Sequence, residues 1–543
     1  MKRKAVAAVL TAVMVASMFT GCGSDKGSSS AKSTSAASAA NDTVDEDGKV
    51  NGIMYQEGLP LVDEGDYTFS IFCDDSSESG EFIMLDEFKK QTNVDVDLKI
   101  YPYETATERL NLDLNSGDYA DVIGGWTLSD NAILTYGVNQ GVFIPLEDYF
   151  EKYCPNISAI LDLPGVREKM TAPDGHIYTI PYVCGDTTVG YSPYINTKWL
   201  ENVGMSMPTT TDEFEAVLKA FKEQDANGNG DASDEIPFST DPNNKHIEAM
   251  AGYFGLPMNK LGIAIQDEKV VYGGVSNTYR EFLSWFHKLY ADGLVDVELY
   301  TQDSSTWEGK GNQDLYGVSI AYGSNEFTGI PAAEERGDFD SMPVLNTDKG
   351  GIWLRDTEGF SVYRTQAVIT NKAEHPEIIC RWFDNAFALE NGIGCNRGPV
   401  GVIVNKEDDG YHAIDTTTLS EEDQEKYSWS NLWPQSLPKY LPADFEFVEE
   451  HPMYDEKKAT EEAYEANLTK EIIPSYWIDL DKIDTFSDTN TAIKDFFEQQ
   501  QAQFVCGELD IDNDADWQAY VDGMYSLGLE DWVATQGIEE IAK

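Results

Sequence analysis

The chain has 543 residues, 41% of them apolar, and its 96 acidic and 38 basic side chains give a formal net charge of −58. That length and apolar share can bury a large core, which excludes a disordered or fibrous chain and points to more than one domain. So acidic a surface repels phosphate backbones and anionic headgroups, and nucleic acid is excluded as a partner. The first residues are Lys2, Arg3 and Lys4, followed by a short apolar run from Ala5 to Phe19. Such a run is too short to cross a bilayer comfortably and suits a signal-peptide core, so residues 1–21 are expected to be an export signal. Loss of that leader with its three basic residues takes the mature charge to −61.

From Gly23 to about Val62 the chain is rich in Ser, Ala, Gly and Asp. It cannot bury enough surface to order itself, so residues 22–62 are expected to be a flexible tether. Order is expected from Tyr67. Tyr67 to Phe72 alternates like a strand, Phe82, Leu85 and Phe88 share a helical face, and Val94, Val96, Leu98 and Ile100 alternate again. A helix over 104–115 stops at Gly117, and Asp121-Val122-Ile123 predicts a third strand running into Gly124-Gly125-Trp126. Strands alternating with helices imply an α/β lobe with a largely parallel sheet, and ligands bind beyond the strand C-termini of such sheets.

Beyond residue 180 the helices change. Phe214, Val217, Leu218 and Phe221 form one stripe behind a Thr210/Glu213 capping box, and Tyr279, Phe282, Leu283, Phe286 and Tyr290 form another. Pro376 opens a helix that is expected to run to Phe387. Trp199, Trp285 and Trp382 lie in these helical patterns and read as core, and His287 reads as a structural residue. Cys73, Cys154, Cys184, Cys380, Cys395 and Cys506 are sparse and lie in no CxxC. They are expected to be mostly buried free thiols, with room for one or two bridges in an exported protein.

Thr20-Gly21-Cys22 resembles a bacterial lipobox, with Phe19 where leucine is usual, which makes Cys22 the expected lipidation site. Ser116 to Val122, Gly141 to Tyr149, Asp174 to Tyr182, Tyr194 to Leu200 and Leu289 to Asp296 follow in order. Together these resemble the extracellular solute-binding lipoproteins of bacterial ABC importers, in their carbohydrate-binding branch. The resemblance implies a two-lobed, periplasmic-binding-protein-like α/β fold, each lobe a mostly parallel sheet flanked by helices, with oligosaccharide in the cleft between them. It places the first part of lobe 1 at 66–183 and of lobe 2 at 184–343, crossings near Val183 to Gly185 and Pro343 to Glu358, and shares 358–543 between the lobes. The partners it implies are an oligosaccharide, ABC permease subunits and the membrane through the Cys22 lipid. The protein is expected to be a monomer on the outer face of the cell membrane.

The loop Asp225 to Ile236 places Asp225, Asn227 and Asn229 two residues apart, then Gly230, Asp231, and the carboxylates of Asp234 and Glu235. A hard cation needs six to eight oxygens, and this spacing, with the Asp231 carbonyl, matches calcium-loop chemistry. It resembles the calcium loop of some proteins in this branch, with one residue inserted at Ser233. The other reading is a solvated acidic turn between helix and strand.

No HExxH, GxSxG, Walker A or dinucleotide GxGxxG occurs, so no catalytic residue is assigned. A polysaccharide-acting enzyme and a surface adhesin are the alternatives, the latter disfavoured by the lack of repeats. Sugar rings stack on aromatic faces while charged or amide groups hold their hydroxyls. The 11 Trp and 28 Tyr exceed what cores demand. Those at predicted strand ends or crossings are the candidates: Trp126, Tyr182, Trp307, Tyr322 and Trp353 with Arg355, and Trp433 in its own loop. Replacing Cys22 by Ala is expected to release the protein to the medium or block its processing. Unchanged membrane retention would count against lipidation.

Overall fold

The computed structural model describes residues 42–75, 81–242, 247–329, 337–448 and 452–542. The export signal, Cys22 and the tether up to residue 41 lie outside the described residues. Residues 42–62, expected as tether, are instead ordered. They form a hairpin of β1 (Lys49–Val50) and β2 (Met54–Tyr55), and Val50, Met54, Leu61 and Val62 are buried in the first core. Four apolar side chains among polar ones suffice when they cap an existing core, a context that composition alone does not show.

Lobe 1 is built on a six-stranded sheet. Its first pass comprises β3 (Tyr67–Asp74), β4 (Val94–Tyr101), β5 (Val122–Gly124) and β6 (Thr179–Gly185). The expected helices lie between them at Ile83–Thr92 and Tyr103–Ser116, the latter ended by Gly117 at φ 77°. Alternate strand residues serve opposite faces. Phe69, Ile71, Cys73, Val122 and Ile369 enter one core, while Phe72, Ile123 and Val368 enter another on the other side. In the first of these, Trp382 packs against Phe69, Phe88 and Trp433 at ring separations of 5.3, 5.4 and 5.7 Å.

Lobe 2 has its own core around a four-stranded sheet of β7 (Ser192–Asn196), β8 (Ile236–Thr240), β11 (Tyr316–Ala321) and β12 (Phe339–Ser341), in the order β12-β7-β11-β8. A smaller sheet holds β9 (Ile263–Gln266), β10 (Lys269–Tyr272) and the late β19 (Glu540–Ile541). The helices Thr211–Glu223 and Asn277–Ala291 bury the predicted stripes, except that Tyr290 is half-buried. At the start of the first helix, the Thr210 hydroxyl accepts from the Glu213 N–H, while the Glu213 carboxylate reaches one residue further back, to Thr209.

The chain then exchanges lobes repeatedly. After β13 (Trp353–Arg355) it returns to lobe 1 as β14 (Phe360–Ile369), passes the hairpin β15 (Val404–Glu407) and β16 (Gly410–Ala413), and adds β17 (Tyr440–Leu441). The lobe 1 order is β17-β6-β14-β5-β3-β4. The helix Pro452–Tyr464 and β18 (Leu468–Ile472), paired with β13, belong to lobe 2. Trp477, Ile478 and Ile483 pack back into lobe 1, and Ile483–Cys506 carries the chain into lobe 2 again.

These exchanges explain one departure from the sequence expectation. A strand that ends at the facing edge of its lobe leads into a crossing, and one that begins there has just emerged from it. β14 and β7 emerge in this way. β14 therefore runs antiparallel to β6 and β5, and β7 antiparallel to β11 and β12. Lobe 1 is mixed, and in the four-stranded sheet of lobe 2 only β11 and β8 pair in parallel.

All six cysteines within the described residues are free thiols, and all but Cys506 are buried. His287 bonds the Val505 carbonyl at 3.0 Å and is structural. No helix among the described residues is long and apolar enough to cross a membrane.

Candidate functional site: the cleft between the lobes

Strand direction decides which residues meet. The C-terminal ends of β3, β5, β6 and β17 and the start of β14 lie on one edge of lobe 1. The ends of β8 and β11 and the start of β7 form the matching edge of lobe 2. Two crossings, 186–191 and 342–359, run side by side between them. Asp186 N–H donates to Gly359 O (3.2 Å), Asp356 N–H to Thr188 O (3.0 Å), and Gly190 N–H to the Asp356 carboxylate (2.7 Å). Helix Pro452–Tyr464 pins the first of them, with Glu461 accepting from Thr188 at 2.6 Å and Lys457 donating to Gly190 O at 3.0 Å.

At this junction Asp186 accepts from two tyrosines of opposite lobes. The Tyr322 hydroxyl, after β11, donates at 3.2 Å, and the Tyr363 hydroxyl, on β14, donates at 2.9 Å. Tyr363 stacks on Tyr182 (5.5 Å, 17° between planes) and meets Trp126 edge-on at 5.3 Å. Trp126 is 45% exposed, Tyr322 and Tyr363 are each 36% exposed, and Tyr182 is half-buried, so aromatic faces are offered to a ligand. Trp126 is held by its backbone. The buried Asp74 carboxylate accepts the N–H groups of Trp126 (2.9 Å) and Thr127 (2.6 Å). Gly125 permits this approach, because at φ 139° a Cβ would collide with that carboxylate.

Two buried lysines back the tyrosines. Lys457 lies 3.7 Å from the centre of the Tyr322 ring, and Lys439 lies 5.0 Å from that of Tyr182, cation–π contacts that fix ring orientation. Burial lowers both ammonium groups to about 8. Around Lys457, burial raises the acids of Glu326 to about 7 and Asp356 to about 6. Glu326 accepts the Tyr322 N–H at 2.9 Å.

Of the residues singled out from sequence, Trp126, Tyr182 and Tyr322 come together here. Trp307, Trp353 and Trp433 do not. Trp307 is 3% exposed against Phe327, Trp353 packs between Tyr253 and Tyr464, and Trp433 lies in the lobe 1 core, so none of the three has a face free for a sugar. Arg355 is spent on the β13–β18 junction, donating from Nε to the Thr469 carbonyl at 3.1 Å. Sequence reasoning missed Tyr363, Asp186, Lys439 and Lys457. Asp186 directly follows the expected crossing and so left a signal, whereas Tyr363, inside the strand Phe360–Ile369, left none. The two lysines left none either.

The loop 225–236 carries a second site. Asn227 and Asn229 donate to the Asp234 carboxylate at 3.2 and 2.7 Å, and Asp231 accepts from Ser233. Asp225 Oδ2 accepts the Gly230 N–H and Glu235 Oε1 accepts the Ala226 N–H. The other oxygens of both carboxylates, Asp225 Oδ1 and Glu235 Oε2, are buried without a donor. Leaving two anionic oxygens so placed is costly, and a cation among them removes the cost. The donor set therefore fits calcium. Glu407, Asp409 and His412 also converge on the β15–β16 hairpin, with His412 already bonded to Asp409.

A cavity of about 700 Å³ lined by Phe254, Arg280, Trp285 and Asp512 belongs to lobe 2 alone. Another of about 530 Å³ is walled by both lobes and by residues 473–478, with Asn131, Asn259, Asn490 and Gln536 facing it.

Residues 76–392, more than half of the chain, match the family of bacterial extracellular solute-binding proteins, and the chain belongs to that family. It is thus an extracellular binding protein and not an enzyme. It is 34% identical over 335 residues to the fructooligosaccharide ABC transporter substrate-binding protein FusA of Streptococcus pneumoniae serotype 4, a match covering 60% of this chain and 61% of that one. It also superimposes on FusA in complex with kestose (TM-score 0.75, 26% identity) and on a FusA EF-hand mutant in complex with fructo-nystose (TM-score 0.74, 27% identity). Each superposition covers 86% of this chain and 98% of the other. The fold is that of the two-lobed periplasmic binding proteins.

Glu326 generates a pH prediction. Its folded value of about 7 exceeds the ordinary 4.5, so between those values the folded state holds a proton that the unfolded state has released. Stability from this group is therefore greatest at low pH and falls as pH rises through 4.5 to about 7. Glu326→Gln, which keeps an acceptor for the Tyr322 N–H, is expected to melt above wild type at pH 8, with the gap closing toward pH 5. A gap that stays constant with pH would show that Glu326 is not the group responsible.

Proposed function

We propose that the protein captures an oligosaccharide outside the cell and delivers it to the permease of an ABC importer. One observation carries this reading: exposed rings from both lobes, Trp126 and Tyr363 on one and Tyr322 on the other, converge on the crossing that joins them. Ring faces suit the apolar faces of sugars, and Asp186 and the surrounding carboxylates suit their hydroxyls. A ligand that touches both lobes favours whichever lobe arrangement gives it more contacts, so its binding shifts the population toward that arrangement. The joint surface of two closed lobes is then what distinguishes a loaded binder from an empty one at the membrane. The cleft carries many carboxylates and two buried lysines, which favours an uncharged sugar over a uronate chain. Because FusA is complexed with kestose and fructo-nystose, fructooligosaccharides are the first ligands to test. Kestose and a panel of other neutral oligosaccharides are expected to include a ligand that raises the melting temperature, and Trp126→Ala should weaken its binding by at least about tenfold. Mass spectrometry should recover the sugar intact. Time-dependent cleavage, or no shift with any sugar, would overturn the reading.

The lipid on Cys22 is the proposed anchor, and the residues before 42 would hold the lobes off the membrane. Calcium is proposed as a structural ion of the 225–236 loop, held by Asp225, Asn227, Asn229, the Asp231 carbonyl, and Asp234 or Glu235. It would supply the positive charge that the buried Asp225 and Glu235 oxygens lack. Its affinity is expected on the order of 10⁻⁴ M or somewhat tighter. A chelator should lower the melting temperature and added calcium should restore it. If Asp225→Ala neither removes bound metal nor abolishes that response, the loop is only an acidic turn.

A further inference from the structure

Trp429 stands in the short turn Trp429–Asn431 and is 53% exposed. It was not among the aromatics that the sequence singled out, and its neighbour Trp433 is fully buried. Its position is nevertheless tightly specified. The Trp429 carbonyl accepts from Gln435 Nε2 at 2.9 Å, the Gln435 N–H donates to the Asp75 carboxylate at 2.7 Å, and the Ser436 hydroxyl donates to the Asp74 carbonyl. Asp74 is also the residue that holds Trp126. The two exposed tryptophans of the lobe 1 edge are thus fastened to consecutive residues at the end of β3, on a rigid element and not on independent loops.

The space between them is paved. Trp126 meets Tyr363 at 5.3 Å, Tyr363 stacks on Tyr182 at 5.5 Å, and Lys439 lies 5.0 Å from Tyr182 and 5.9 Å from Trp429. Lys439 is 2% exposed and donates to Gln435 Oε1 at 2.7 Å, so one buried cation orients both flanking rings while remaining out of a ligand's reach. The result is one continuous aromatic surface along the lobe 1 edge, with Trp126 edge-on to Tyr363, Tyr363 stacked on Tyr182, and Trp429 beyond Lys439 at its far end. Tyr322 reaches only the Tyr363 part of this surface, through Asp186. The Trp429 end therefore adds surface without adding a lobe–lobe bridge.

We propose that Trp429 is an outer subsite of the cleft, stacking on the terminal ring of oligosaccharides too long to be covered by Trp126, Tyr182 and Tyr363, and so setting a preference for chain length. The inference rests on the oligosaccharide reading above and extends it. Because Trp429 is exposed, its replacement leaves both cores intact.

The test is calorimetric titration of a homologous series, from trisaccharide to pentasaccharide of one linkage, into wild type, Trp429→Ala and Trp429→Phe. Wild type is expected to bind more tightly as the chain lengthens. Trp429→Ala should keep the trisaccharide affinity and lose several-fold, up to about tenfold, on the longer members, while Trp429→Phe recovers most of that loss. An equal loss across the series, or no loss at any length, overturns the subsite and leaves Trp429 as an exposed ring with another role, such as contact with the permease. Absence of any length preference in wild type overturns it as well. If wild type binds no member of this series or of any neutral panel, the oligosaccharide reading fails first and the subsite falls with it.

Discussion

The structure turns on one carboxylate. Asp186 stands in the first crossing, and its two oxygens accept from Tyr322 of lobe 2 and Tyr363 of lobe 1. Two hydroxyls on one anion are charge-assisted bonds, each stronger than a neutral hydrogen bond. They place an aromatic ring of each lobe at a set distance from the hinge. The neighbouring backbone bonds between the two crossings brace Asp186, so the tyrosines are positioned by the strap as well as by their own lobes. Much that surrounds the strap serves the same end: Lys457 beneath Tyr322, Glu461 on Thr188, and Asp356 on Gly190.

The polar density of this junction has a cost that the two lobes are built to absorb. Burying Lys457, Glu326 and Asp356 penalises their charged forms, which is why all three titrate toward neutrality. A small domain could not carry such a burden. Here each lobe has its own aromatic core, and burying one such side chain contributes about 1.5–3 kcal/mol. The apolar cores lie in the lobes, and the buried charged groups and the candidate site lie between them.

The lobe architecture was legible because it is written in local periodicity. Tyr67 to Phe72, Val94 to Ile100 and the stripes on 213–223 and 279–290 show the 2.0 and 3.6 residue repeats that burial imposes. The site was legible only in part. Trp126 could be found because it follows a strand end, and strand ends are where such sheets bind ligands. Trp307, Trp353 and Trp433 misled because a tryptophan in a predicted loop gives no sign of which way its side chain faces. The pair Trp429 and Trp433 makes the point, since four residues and one tight turn send one ring to solvent and the other to the lobe 1 core. Lys439 and Lys457 were silent because they act through pairings more than 130 residues apart in sequence, with Tyr182 and Tyr322, which no local pattern encodes. The ordering of residues 42–62 escaped for the same reason: Val50, Met54, Leu61 and Val62 are buried by a surface that the rest of lobe 1 supplies.

The last part of the chain explains how lobes with separate cores stay coupled. Arg364 of lobe 1 is 5% exposed and donates to Asp130 and to the carbonyls of Ser475 and Tyr476, while its guanidinium lies 4.3 Å from the centre of the Trp477 ring. This fixes residues 475–477 to lobe 1 before helix Ile483–Cys506 begins. That helix places Ile483 in a lobe 1 core and Ile493, Phe497 and Phe504 in the lobe 2 core. A continuous helix is stiff along its axis, so a relative motion of the lobes must pivot about its first turns or bend it. The strap at Asp186 and the pivot at Arg364 both belong to the lobe 1 sheet through β6 and β14, which are neighbours. Asp186 and Arg364 thus anchor two of the connections between the lobes to adjacent strands of one sheet. Tyr322 is held by Lys457 and Glu326 of lobe 2 as well as by Asp186, whereas Trp126, Tyr363 and Tyr182 rest on lobe 1 alone, so lobe 1 carries the larger, preformed part of the ring surface.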